Sequence, residues 1–150
     1  HVGPMLPKSR GAITLRSKRA SEAPKIVFNY MSHEDDWSVF RAAIRKARDI
    51  FAQPALTELR GQELNPGEQC QSDAQLDAFV AAQAESAYHP CGTCRMGSDA
   101  QAVVDPEGRV NGITGLRVID ASVFPHITNG NLNAPTIMLA ERMADLIRNA

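Results

Sequence analysis

"YHPCGTCRMG", Tyr88 to Gly97, sets His89 two residues ahead of a Cys-x-x-Cys pair, Cys91 and Cys94, in a stretch holding two glycines. Three chemistries fit such a stretch: part of a zinc site, a redox dithiol, or a loop that presents a histidine to a substrate. A structural zinc site needs four ligands, and a catalytic one usually three plus water. His89, Cys91 and Cys94 have ligand-like spacing, yet no second Cys-x-x-Cys or histidine pair follows and Cys70 stands alone. "PCGTC" also matches one half of the zinc deaminase pattern, whose other half is His-x-Glu. Here "HED", His33 to Asp35, has its acids in the wrong order. A thioredoxin-like dithiol opens a helix after a strand, whereas the turn-like "RMGSDAQAVVD" follows this pair. The reading assigns no metal. The cysteines are expected to pack the loop as small apolar side chains. On residue chemistry alone, His89 as a loop residue with one structural hydrogen bond stays open.

Outward from the motif, the 150 residues suffice for one domain, with 43% hydrophobic residues and a net charge of −1. So even a charge balance argues against a nucleic-acid-binding module. The basic segment "KSRGAITLRSKRASEAPK" reads as a solvated strand edge and its turn. No run approaches the roughly 20 apolar residues of a membrane span, and no signal-peptide pattern is present. Three cysteines are too few for a disulfide framework and suit a reducing compartment. Since His1 rather than Met stands first, the chain is expected to be a piece of a longer protein.

Alternation predicts a strand over Gly11–Lys18 and a second over Lys25–Tyr30. Ser32 is expected to cap a helix with Asp35 three residues on, its apolar face built by Trp37, Phe40, Ile44, Ala47 and Phe51, and Pro54 beyond its end. Ser72 with Gln75 predicts a second capped helix ending near Ser86, buried along Leu76, Phe79 and Val80. Two short β segments flank the Pro106-Glu107-Gly108 turn, and "LRVIDAS" (Leu116–Ser122) reads as a buried strand. A last helix is expected over Ala134–Arg148, with Pro135 in its first turn and its apolar first half buried on several sides. This order predicts an α+β fold, a mixed or antiparallel sheet with helices packed on one face. The roughly fifty residues between Ala87 and Ala134 carry little regular structure, which points to a binding loop or a surface completed by another domain. Partial disorder is expected between Pro90 and Gly115.

"YHPCGTCRMG", "VVDPEGRVNGITGLRVIDASVFP" and "TNGNLNAPTIMLAERMADLI" together resemble the C-terminal part of the glucose–methanol–choline (GMC) family of flavin-dependent alcohol oxidoreductases. "HVGPMLPKSRGAITLRSK", "FNYMSHEDDW" and "QPALTELRGQEL" narrow the resemblance to its choline-oxidising branch, over essentially the whole chain. The resemblance implies that residues 1–150 are the C-terminal, flavin-ring-facing and substrate-binding region of a longer enzyme. It implies FAD as cofactor, and choline as the substrate, oxidised to betaine aldehyde on the way to glycine betaine. Within it, His89 matches the histidine that serves the alcohol as base or hydrogen-bond partner, and Asn131 matches a second polar residue of the site. Asp120 and Ala121 match residues lying against the cofactor, and Asn133, Ala134, Pro135 and Thr136 match those opening the last helix beside it. His126 matches no such role and reads as structural. No G-x-G-x-x-G follows a strand in the chain, so the Rossmann part that holds the ADP half of FAD is expected elsewhere in the longer protein. The carboxylate that pairs with choline's ammonium is expected there too. The resemblance further implies a cytoplasmic or peripherally membrane-associated enzyme, and a chain that by itself binds FAD weakly and turns nothing over. Two other readings stay open: a small metal or thiol module on His89, Cys91 and Cys94, and a non-catalytic interaction domain. Asn131 and Asn133 could simply cap the last helix, and Asp120 could close a turn.

Overall fold

A computed structural model describes residues 1–149 as two compact units, one of residues 1–11 with 28–86, the other of residues 12–27 with the chain from 87 onward.

In the first unit, α1 (Glu34–Phe51) lies against α2 (Asp73–Gln83). Ile44, Cys70, Leu76 and Val80 form the buried seam, with Met31, Trp37, Phe40 and Phe79 packed around it. The 3–4 spacing seen in the sequence therefore does select the inner faces, although Phe51 is exposed. Ser72 caps α2 as expected: its hydroxyl accepts the Gln75 amide, and the Gln75 side chain accepts the Ser72 amide in return. That helix stops at Gln83, short of Ser86, because Ala84 is already extended.

The cap of α1 differs from expectation. His33, not Ser32, is the N-cap, its Nδ1 accepting the Asp35 amide at 3.2 Å. The reason lies at Asp36, whose carboxylate turns away from the cap and toward the N-terminal segment. It accepts the amides of Lys8 and Ser9, both at 2.8 Å, and the Ser9 hydroxyl. Ser9 Oγ in turn accepts the His33 amide, which fixes the helix entry at residue 33. Buried Asp36 thereby ties residues 7–10 to the first turn of α1. Across the helix pair, Arg41 meets Asp77 and Arg45 meets Asp73, while Arg48 meets Glu63 in the segment between the helices.

In the second unit, β1 (Ala12–Thr14) and β2 (Lys25–Val27) pair antiparallel with Ile13 opposite Ile26. Both strands were legible, but each is three residues long and exposed. The expected strand at Leu116–Ser122 does not form. Arg117 makes an isolated bridge to Arg109, and the chain then enters a 3₁₀ turn at Ala121–Val123. Asp120 directs this outcome, because its carboxylate accepts the Ser122 amide and starts a turn where a ladder would otherwise continue. Among the described residues the sheet is this hairpin alone.

The last helix, α3 (Asn133–Arg148), buries Leu139 and Met143 on a core of Val104, Val123, Phe124 and Leu132. Burial on several sides is not what is found: Ile137 and Met138 are exposed. The expected disorder at 90–115 is also corrected, since this segment is threaded with backbone hydrogen bonds. No described helix is long and apolar enough to cross a membrane.

Candidate active site

The loop carrying His89 is held along both edges by main-chain bonds. On one side, Cys94 and Met96 donate their amides to the carbonyls of Ser122 (3.0 Å) and Val123 (2.8 Å). On the other, Gly97 donates to Val104 O at 3.0 Å, and Val103 donates to Arg95 O at 3.0 Å. The 102–104 segment is braced from beyond by Asn111, whose amide reaches Val103 O and whose side chain reaches Ala102 O, each at 2.9 Å. A sequence without long strands thus fixes this loop through single bridges, the amides of Cys94, Met96, Gly97 and Val103 each finding a carbonyl.

Two features let the loop run this close. Gly92 has φ +86°, and a Cβ there would stand 3.3 Å from the carbonyl of Phe124. Cys91 and Met96 pack on the core cluster, so Cys91 takes the apolar role expected of it. His89, two residues before that anchor, is half-buried.

The turn after the motif is closed by Asp105. Its Oδ1 accepts the amides of Glu107 and Arg109, and its Oδ2 the Arg109 side chain at 2.7 Å. Desolvation pushes this carboxyl up, but Arg109 and those amides outweigh it and hold it below the usual range.

Asn131 follows Gly130, and both adopt positive φ, +76° and +78°. This places a non-glycine residue in the left-handed region, where asparagine is among the better tolerated. Thr128 Oγ1 donates to the Asn131 carbonyl at 2.8 Å, closing the loop and leaving the Asn131 side chain exposed. The capping alternative for Asn131 and Asn133 is not what is found: the N-cap is Leu132, no side chain caps it, and no acid lies in the first turn of α3. Asn133 and Ala134 are exposed, Pro135 half-buried, and the Thr136 hydroxyl is spent on Leu132 O at 2.7 Å.

His89 and Asn131 come from separate loops whose neighbours share one core: Cys91 packs on the cluster that includes Leu132, with Ala121 and Val123 between them in sequence. Asp120 is the exception. Its carboxylate is turned onto its own chain, accepting the amide and hydroxyl of Ser122. His126 is exposed. Ser122, Asn111 and Thr128 were not singled out from sequence. Only Ser122 left a trace there, as the Asp-x-Ser spacing of a side-chain-capped turn. Among the described residues no three His, Cys, Asp or Glu side chains gather to hold a metal ion. A recess of about 770 Å³ beside residues 109–117 and Ile147 holds none of the sequence-predicted site residues.

A profile of the GMC oxidoreductases covers residues 7–140, and the chain belongs to this family. Oxygen-dependent choline dehydrogenases from Escherichia coli and Klebsiella pneumoniae are 59% and 60% identical to it over 148 residues, 99% of the chain. The chain spans about a quarter of their length, 26% and 27%. Among solved structures, pyridoxine 4-oxidase from Mesorbium loti superposes with a TM-score of 0.90 at 34% identity, over 97% of this chain and 28% of its own. An FAD-dependent oxidoreductase from Chaetomium thermophilum gives 0.89 at 33%, over 99% and 26%.

Proposed function

We propose that the chain is the C-terminal, substrate-binding region of an FAD-dependent choline dehydrogenase that oxidises choline to betaine aldehyde. What carries the reading is the near-60% identity to choline dehydrogenases across 148 residues, which include the His89 loop and the helix opening after Asn131.

When bound, FAD accepts the hydride released from the alcohol carbon. The chain's own residues deal with the charge left behind. His89 takes the hydroxyl proton, or donates a hydrogen bond to the alkoxide, a task suited to an imidazole, which can both accept and donate at its ring nitrogens. Asn131 donates a second hydrogen bond to the same oxygen without titrating. The residues present fit the cofactor on a local ground: the first turn of α3 has no side-chain cap and no acid. The amides of Asn133 and Ala134 therefore offer partial positive charge to an anionic ring edge. Pro135 shapes that turn, and Thr136 stiffens it. Asp120 and Ala121 would help hold the cofactor through their main chain in this reading.

The Rossmann part and the carboxylate facing choline's ammonium come from elsewhere in the longer protein. In that protein the β1–β2 hairpin belongs to a larger mixed or antiparallel sheet with helices on one face. The enzyme is cytoplasmic or peripherally membrane-associated. Choline-dependent dye reduction by the full-length protein tests the reading; a flavin-loaded enzyme inert toward choline contradicts it.

A further inference from the structure

The resemblance would make Asp120 a cofactor contact, yet its side chain is committed within its own chain. Oδ1 accepts the Ser122 amide at 2.8 Å and also the Ser122 hydroxyl. Ser122 and Val123 are the two residues whose carbonyls receive the His89 loop, through Cys94 at 3.0 Å and Met96 at 2.8 Å. Val123 is fully buried, so this turn has little freedom to shift once its first residue is set. The carbonyl of the following residue, Phe124, is the atom against which Gly92 closes. Three successive carbonyls thus line one edge of the loop, and one carboxylate orients the turn that presents them. Hydrogen bonds to a charged acceptor are roughly twice as strong as neutral ones.

Resting on the functional reading above, we propose that Asp120 is a positioning residue for His89, acting through Ser122, and that its carboxylate does not contact the cofactor. It holds the 3₁₀ turn in the orientation that sets where the loop, and with it the imidazole, stands. Misplacing a catalytic group by a fraction of an ångström slows chemistry while leaving substrate binding largely intact.

The test uses the full-length, flavin-loaded enzyme with Asp120→Ala, Asp120→Asn and Ser122→Ala. Amide hydrogen exchange at Cys94 and Met96, flavin content, and kcat and KM for choline are measured together. In Asp120→Ala, exchange at both amides speeds up about tenfold and kcat falls about tenfold, with KM and flavin content held. Asp120→Asn keeps an acceptor at Oδ1 and restores most of both. Unchanged exchange in Asp120→Ala overturns the proposal, as does flavin loss in both Asp120 variants, the mark of a cofactor contact. Should Asp120→Ala fail to fold, Ser122→Ala decides: it removes one of the two donors, so exchange accelerates by a smaller factor, and unchanged exchange overturns the proposal. Absence of choline turnover in the wild type contradicts the functional reading alone, since the exchange test of the clamp does not depend on substrate.

Discussion

Cys94 donates its amide to the carbonyl of Ser122 at 3.0 Å. Through this bond a loop with no regular secondary structure inherits the rigidity of a turn whose Val123 is wholly buried. Whatever displaces this turn should therefore displace the His89 loop with it.

Gly92 is where the coupling is tightest. Its φ is +86°, and a methyl group added there would sit only 3.3 Å from Phe124 O, so Gly92→Ala is strained on two counts. The full-length enzyme should lose about 1–3 kcal/mol in a denaturant titration, and kcat should fall with it. Gly112→Ala, also at positive φ but with open space around it, should cost stability and leave kcat near the wild type.

The buried Asp36 carboxylate makes the first unit acid-sensitive. Burial raises its pKa, but the Ser9 hydroxyl and the Lys8 and Ser9 amides outweigh this, so its pKa lies below the ordinary value. A lowered folded-state pKa gives stability that is fully present above the unfolded carboxylate value, about 4, and lost as pH falls through the folded value. Asp36→Asn should flatten that acid limb of the stability profile, read as the denaturation midpoint between about pH 6 and pH 2. An unaltered limb would remove Asp36 from this role.

The proposed function gives Asn131 two separable jobs, a backbone one and a chemical one. Asn131→Gly accepts φ +76° and loses only the donor, so stability should hold while kcat drops by roughly tenfold to a hundredfold. Asn131→Asp, which sets a carboxylate beside the developing alkoxide, should be slower still. Steady-state kinetics with thermal melts on both variants separate the two jobs.

The chain by itself lacks the G-x-G-x-x-G element. Purified alone, it should show no flavin absorbance after desalting from excess FAD and no choline-dependent dye reduction. A stable yellow complex would show that the first turn of α3 and the His89 loop suffice to hold FAD.

The sequence was most legible where local rules act alone. Ser72 and Gln75 are three residues apart and need nothing else, and the Leu76–Val80 face follows from helical period. It was least legible where a distant partner decides. The cap of α1 moved to His33 because Asp36 answers Lys8 and Ser9, some 27 residues away in sequence. "LRVIDAS" has strand composition, yet Asp120 bends it into a turn and the remaining pairing is a single bridge. His89 and Asn131 were found through motif resemblance; their support by Asn111, Ser122 and Thr128 depends on backbone partners that no periodicity encodes.

The central claim is that His89 handles the substrate's hydroxyl proton. Single-turnover flavin reduction by choline in full-length His89→Ala measures it most directly. The account predicts a fall in the reduction rate of about 10²- to 10⁴-fold with flavin content unchanged; a rate within a factor of about two of the wild type would contradict it.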